Sequence, residues 1–191
     1  MKKNDNHLNE QMKTFSEFTR QLDDAKKRAM VDALTGLGSR AKGEALLHST
    51  LQAGYPMTVI LVDLDHFKQI NKQWGHECGD QLLKGISQAL AEDSDTSDVV
   101  CRWGGDRFLR MSQLDQSSRE GEARRLQILL SREYEVTADE KSFKIDVSVS
   151  VGLAQTEDGD SLEDVLARAE ADLTRCKNRV VTDSSRLPQS H

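Results

Sequence analysis

Val99, Val100, Cys101, Arg102, Trp103, Gly104, Gly105, Asp106, Arg107, Phe108 and Leu109 form an apolar run that a glycine pair breaks before it resumes. Adjacent glycines supply the positive-φ conformations that a tight hairpin demands, so two strands joined by a short turn are predicted here. The turn sets Asp106 and Arg107 at the end of a rigid strand pair, where a side chain can be aimed at a ligand. Alone, such a tip reads only as a solvated corner. A second stretch changes that: Val59, Ile60, Leu61, Val62, Asp63, Leu64 and Asp65 run apolar and then end in carboxylates on either side of one leucine. An unbroken apolar run reads as a strand buried on both faces, and carboxylates at its end read as metal ligands or as a helix cap.

Working outward, residues 8–30 are polar with a sparse stripe in which Leu8, Phe15, Leu22 and Ala29 recur every seven residues, interleaved with Phe18 and Ala25. The stripe suits a coiled-coil stalk, or equally one amphipathic helix folded back on its own domain. Residues 32–40 form a glycine-containing turn, and Ser39 is placed to cap a helix running to about Leu51. Residues 57–63 are the first core strand, after which Asp65 is expected to cap a short helix carrying Lys68 and Asn71. A second helix is expected from near Asp80, with Leu82, Leu83, Ile86, Ala89 and Leu90 on one face. After the hairpin, residues 119–132 read as a helix and residues 143–154 as one long alternating strand. Ser161 then caps a last helix with Leu162, Val165, Leu166, Ala169, Leu173 and Cys176 at helical spacing. The chain divides into an N-terminal helix (1–30), one domain (31–181) and a patternless tail (182–191) that is expected to be disordered.

With 191 residues, 37% hydrophobic and 30% charged, and a net charge of −6, the chain reads as an acidic, soluble, cytoplasmic protein with no broad basic face for nucleic acid. Its cysteines, Cys78, Cys101 and Cys176, are widely spaced and read as small hydrophobes in a reducing compartment. No apolar run is long enough to span a membrane, and the polar opening is no signal peptide. Helices alternating with strands around a hairpin predict an α+β sandwich, a mixed sheet flanked by helices.

Residues 32–40, 62–71, 75–80, 102–108 and 148–152, in that order, resemble the GGDEF family, the diguanylate cyclases. The resemblance implies a largely antiparallel, palm-like sheet shared with nucleotidyl cyclases, and the joining of two GTP into cyclic di-GMP with release of pyrophosphate. It implies that Asp63, the Leu64 backbone carbonyl and Asp106 hold Mg²⁺ or Mn²⁺, and that Asn71 and Asp80 read guanine. It also implies that Phe67, Lys68, Gly104, Gly105 and Lys177 contact the nucleotide, and that the N-terminal helix pairs two protomers.

The departures from the family are specific. Arg107 stands where the family has Glu, and Arg can neither accept a hydrogen bond nor bind a cation. With a divalent ion roughly 8 Å away at an effective dielectric near 20, repulsion is on the order of 4 kcal/mol, about a thousandfold. The same guanidinium can pair with a triphosphate. Thr174 replaces the usual Tyr, Val181 replaces an Arg, and the inhibitory Arg-x-x-Asp motif keeps only Asp98, because Asp95 fills the Arg position. His66, His76, Trp74 and Trp103 read as packing residues. The sequence therefore reads as a degenerate GGDEF domain without turnover that retains GTP binding as a regulatory or interaction module. The alternatives are an active cyclase and a scaffold that binds no nucleotide.

Overall fold

The structure is a computed structural model describing residues 2–114, 116–138 and 140–184. Its elements, in chain order, are α1 (Lys2–Ala29), α2 (Arg40–Ala53), β1 (Thr58–Leu64), α3 (Phe67–Trp74), α4 (His76–Glu92), β2 (Val99–Gly104), β3 (Arg107–Ser112), α5 (Gln116–Leu130), β4 (Glu133–Ala138), β5 (Lys141–Asp146), β6 (Val149–Gln155) and α6 (Leu162–Ser184). The main sheet has the order β2-β3-β1-β6 with antiparallel pairing throughout, and β4 and β5 form a separate antiparallel pair. An isolated parallel bridge joins Gly38 to Cys101, outside the strand pairs of the sheet.

Every residue of β1 is buried, because the strand lies between β3 and β6 and is covered on both faces. Alternation divides those faces. Val59 and Leu61, with Leu109 and Met111 of β3, pack against Leu47 of α2 and Val165, Ala169 and Leu173 of α6. Ile60, Val62 and Phe108 pack on the other side against Leu82, Leu83 and Ile86 of α4 and Leu126 of α5. The result is the α+β sandwich that the residue pattern predicts. The hairpin also forms as predicted, with Gly104 at φ 142° and Gly105 at φ 57°.

Ser39 caps α2 by accepting from the Lys42 N–H, and Ser161 exchanges bonds with Asp164 at the start of α6. Three expectations are corrected. Asp65 does not cap α3: the cap position is His66, held at φ 58° without a side-chain bond, while Asp65 Oδ1 accepts from Ser150 Oγ at 2.8 Å. The second helix begins at His76, ahead of Asp80. The long strand is two strands in different sheets, β5 and β6, separated at Val147 and Ser148. Helix α6 runs past Val181 to Ser184, and the last residues of the expected tail, 185–191, lie outside the described residues. Cys78 and Cys101 are buried, Cys176 is partly so, and all are free thiols.

Candidate nucleotide site at the hairpin tip

The end of β1 delivers Asp63, only 4% exposed, to the tip of the hairpin. The antiparallel register sets it directly opposite Arg107, the first residue of β3. Arg107 Nε donates to Asp63 Oδ2 at 2.8 Å, and Arg107 Nη1 reaches Glu170 Oε1 of α6 at 3.4 Å. From the same helix, Lys177 Nζ donates to Asp63 Oδ1 at 2.5 Å. Both carboxylate oxygens of Asp63 are thus engaged by cations. Leu64 and Asp106 meet through their backbones, the Leu64 N–H donating to the Asp106 carbonyl at 3.2 Å.

A residue not singled out in the sequence for this purpose braces the tip. Arg102 donates through Nε and Nη2 to the Gly105 carbonyl (3.1 and 2.8 Å), and through Nη1 to Asp32 at 3.3 Å. Burial pushes the Asp32 carboxyl up, but the Thr35 hydroxyl and amide together with Arg102 outweigh it and hold Asp32 below its usual range.

The residues around Asp63 do not fit a divalent ion in this arrangement. Magnesium demands oxygen ligands at about 2.0–2.1 Å, and a guanidinium bonded to the same carboxylate would stand within about 5 Å of it. At an effective dielectric near 20 that separation costs about 7 kcal/mol, more than the 8 Å separation assumed from sequence.

The positions expected to read guanine lie on α3 and α4, the two helices that follow β1. Asn71 Oδ1 is buried without a hydrogen-bond partner, while Asp80 is exposed near the start of α4. Phe67 is buried beneath Asn71, and a Cβ added to Gly79 would lie 1.9 Å from Asn71 Oδ1 and 3.1 Å from Phe67 Cζ. A buried acceptor left without a donor costs about 1–3 kcal/mol, which a ligand N–H at that point would recover. Lys68 is exposed on α3, and Thr174 turns its hydroxyl back to the Glu170 carbonyl. The side chain of Val181 lies outside the described residues. Trp103 is buried under Arg40, and Trp74 packs on Phe143 with ring centroids 5.3 Å apart, so both tryptophans pack as expected.

Asp98, the acid expected in the inhibitory motif, turns into the protein. Its side chain is 2% exposed and accepts from Arg110 Nη2 at 2.5 Å and Arg110 Nε at 2.9 Å. Arg110 also reaches Asp93 and Glu122, and Arg125 closes the cluster from outside. Hydrogen bonds from Arg125 hold the Asp93 carboxyl below its ordinary range.

The chain belongs to the GGDEF family: the family model described as "Diguanylate cyclase, GGDEF domain" matches residues 29–181. It is 29% identical over 175 residues to the diguanylate cyclase VdcA of Vibrio cholerae, covering 91% of this chain and 51% of that protein. It is 30% identical over 176 residues to the response regulator PleD of Caulobacter vibrioides, covering 87% of this chain and 38% of that protein. The chain therefore spans about half or less of these relatives. Among solved structures, the GGDEF domain of DgcB from Caulobacter crescentus in complex with cyclic di-GMP superposes with a TM-score of 0.71 at 25% identity, over 79% of this chain and 89% of that one.

Proposed function

We propose that this chain is a degenerate GGDEF domain of cyclic di-GMP signalling, which binds a guanine nucleotide without condensing it and acts as a regulatory or interaction module paired through α1. The observation that carries this reading is the double engagement of Asp63 by Arg107 and Lys177. Condensing two GTP requires an activated hydroxyl and neutralised triphosphates, work that carboxylate-held cations perform in such sites. Here the carboxylate is already neutralised from within the protein. The pairing through α1 is supported by Phe15 and Phe18, which are 73% and 62% exposed on that helix. Among the described residues no helix is long and apolar enough to cross a membrane.

The test is incubation of the purified chain with GTP and Mg²⁺ or Mn²⁺, followed by chromatography of the products. No cyclic di-GMP above the level of an Asp63→Ala control is expected. Sustained formation that the control abolishes overturns the reading in favour of an active cyclase.

A further inference from the structure

If a nucleotide enters a site from which magnesium is disfavoured, something else must neutralise its phosphates, and the groups available are those already bound to Asp63. A guanidinium carries five N–H donors and an ammonium three. Arg107 commits Nε to Asp63 and Nη1 weakly to Glu170, and Lys177 commits one donor to Asp63. Their side chains are 40% and 38% exposed, so the remaining donors are open to an incoming anion. The carboxylate between them is almost fully buried. It therefore holds both cations from below while leaving part of each exposed to solvent.

We propose that this chain binds the phosphates of a guanine nucleotide without a divalent cation, with Arg107 and Lys177 as counter-ions and Asp63 as the internal anion that holds both in place while the nucleotide is absent. This rests on the nucleotide-binding reading above. The ligand is then the metal-free triphosphate, because magnesium chelated to the phosphates would bring its charge against the two side chains. Asp63 plays the reverse of a metal ligand's part: it competes with the nucleotide for the cations. Arg107 supplies two-pronged recognition of phosphate oxygens and Lys177 a point charge.

Calorimetric titration of GTP into the full chain, once in EDTA and once in excess Mg²⁺, tests this. Binding in EDTA is expected to be at least as tight as in Mg²⁺. Arg107→Gln is expected to weaken binding tenfold or more in EDTA, and Asp63→Asn to tighten it severalfold by releasing both cations. Binding that appears only with Mg²⁺ overturns the proposal and leaves the nucleotide-binding reading standing, and this comparison needs no variant to fold. Weaker binding by a folded Asp63→Asn chain also overturns it. Absence of heat in both buffers overturns the nucleotide-binding reading itself, and this proposal with it.

Discussion

Asp63 and Arg107 face each other as a register pair across β1 and β3, joined at 2.8 Å, where Glu at position 107 would set two acids opposite one another. Opposite charges directly across an antiparallel ladder stabilise it, and like charges destabilise it. The acid pair requires a cation between its members; the pair in this chain has one built in. The substitution at position 107 therefore acts on folding as well as on chemistry.

Arg107→Glu is expected to lower the melting temperature in EDTA by about 4–8 °C, the effect of about 2 kcal/mol on a domain of this size. The loss combines a half-exposed ion pair, worth about 1 kcal/mol or less, with a new like-charge contact beside a buried carboxylate. Saturating Mg²⁺ should restore part of it, because a ligand that binds only the folded state stabilises by mass action. The unsubstituted chain should show no such response. Equal Mg²⁺ shifts in both would contradict the internal-cation account.

The Arg110 cluster makes a sharper demand on folding. Arg110→Met leaves Asp98 buried beside Asp93 and Glu122 without its guanidinium. Breaking a buried pair by removing one partner costs about 3–5 kcal/mol. Urea denaturation should register that loss, and adding Asp98→Asn to the variant should recover part of it. A loss below 1 kcal/mol would show that solvent reaches the cluster.

Much of this was legible in the sequence, and the failures have physical causes. The hairpin, the buried run of β1 and the cap at Ser39 follow from local backbone chemistry, and they stand where expected. The split between β5 and β6 was hidden because Phe143, Ile145, Val147, Val149 and Val151 keep a two-residue period straight through the change of sheet. Strand β4 is too short to stand out in the sequence, although Tyr134 and Val136 alternate with Glu133 and Glu135. At the site, Arg107 was legible as a charge reversal, but the second cation on Asp63 was not: Lys177 lies over a hundred residues from Asp63 in the chain, and no local pattern announces that contact. Arg110 left one trace, a charge inside the apolar run Phe108, Leu109, Met111.

Acid should weaken the Arg110 cluster through Asp93. Hydrogen bonds from Arg125 lower its carboxyl below the ordinary value of 3.8. A depressed carboxyl contributes stability that is fully present above its unfolded value and is withdrawn as pH falls through the folded one. Denaturation midpoints should therefore be flat from neutrality to about pH 5 and fall steadily below about pH 4. Asp93→Asn should shallow that acid limb while lowering stability at pH 7. An unchanged slope would remove Asp93 from the account.

Gly79 tests the base pocket apart from the phosphate end. Its missing Cβ leaves room for the Asn71 amide, which a methyl group 1.9 Å from Oδ1 would displace. Gly79→Ala is expected to weaken GTP binding tenfold or more, about 1.4 kcal/mol, while alanine's better helix propensity offsets part of the packing cost. Retained affinity in a folded variant would place the base elsewhere.

Helix α1 carries the last prediction. Its 28 residues extend about 42 Å at the standard rise, and Met12, Phe15, Phe18 and Leu22 are all exposed along it. A helix this polar, with one narrow apolar stripe left exposed at these positions, gains most of its stability from a partner with the same stripe. Heptad spacing of Phe15 and Leu22, with Phe18 between, supplies the seam of a two-stranded coil. Light scattering should give twice the chain mass, and Phe15→Glu with Phe18→Glu should halve it, because four carboxylates would then meet in the seam. Helicity by circular dichroism should fall in the variant as α1 melts, while the urea midpoint of the sandwich changes little. A variant that stays dimeric would move the contact off α1, and a monomeric unsubstituted chain would remove the pairing altogether.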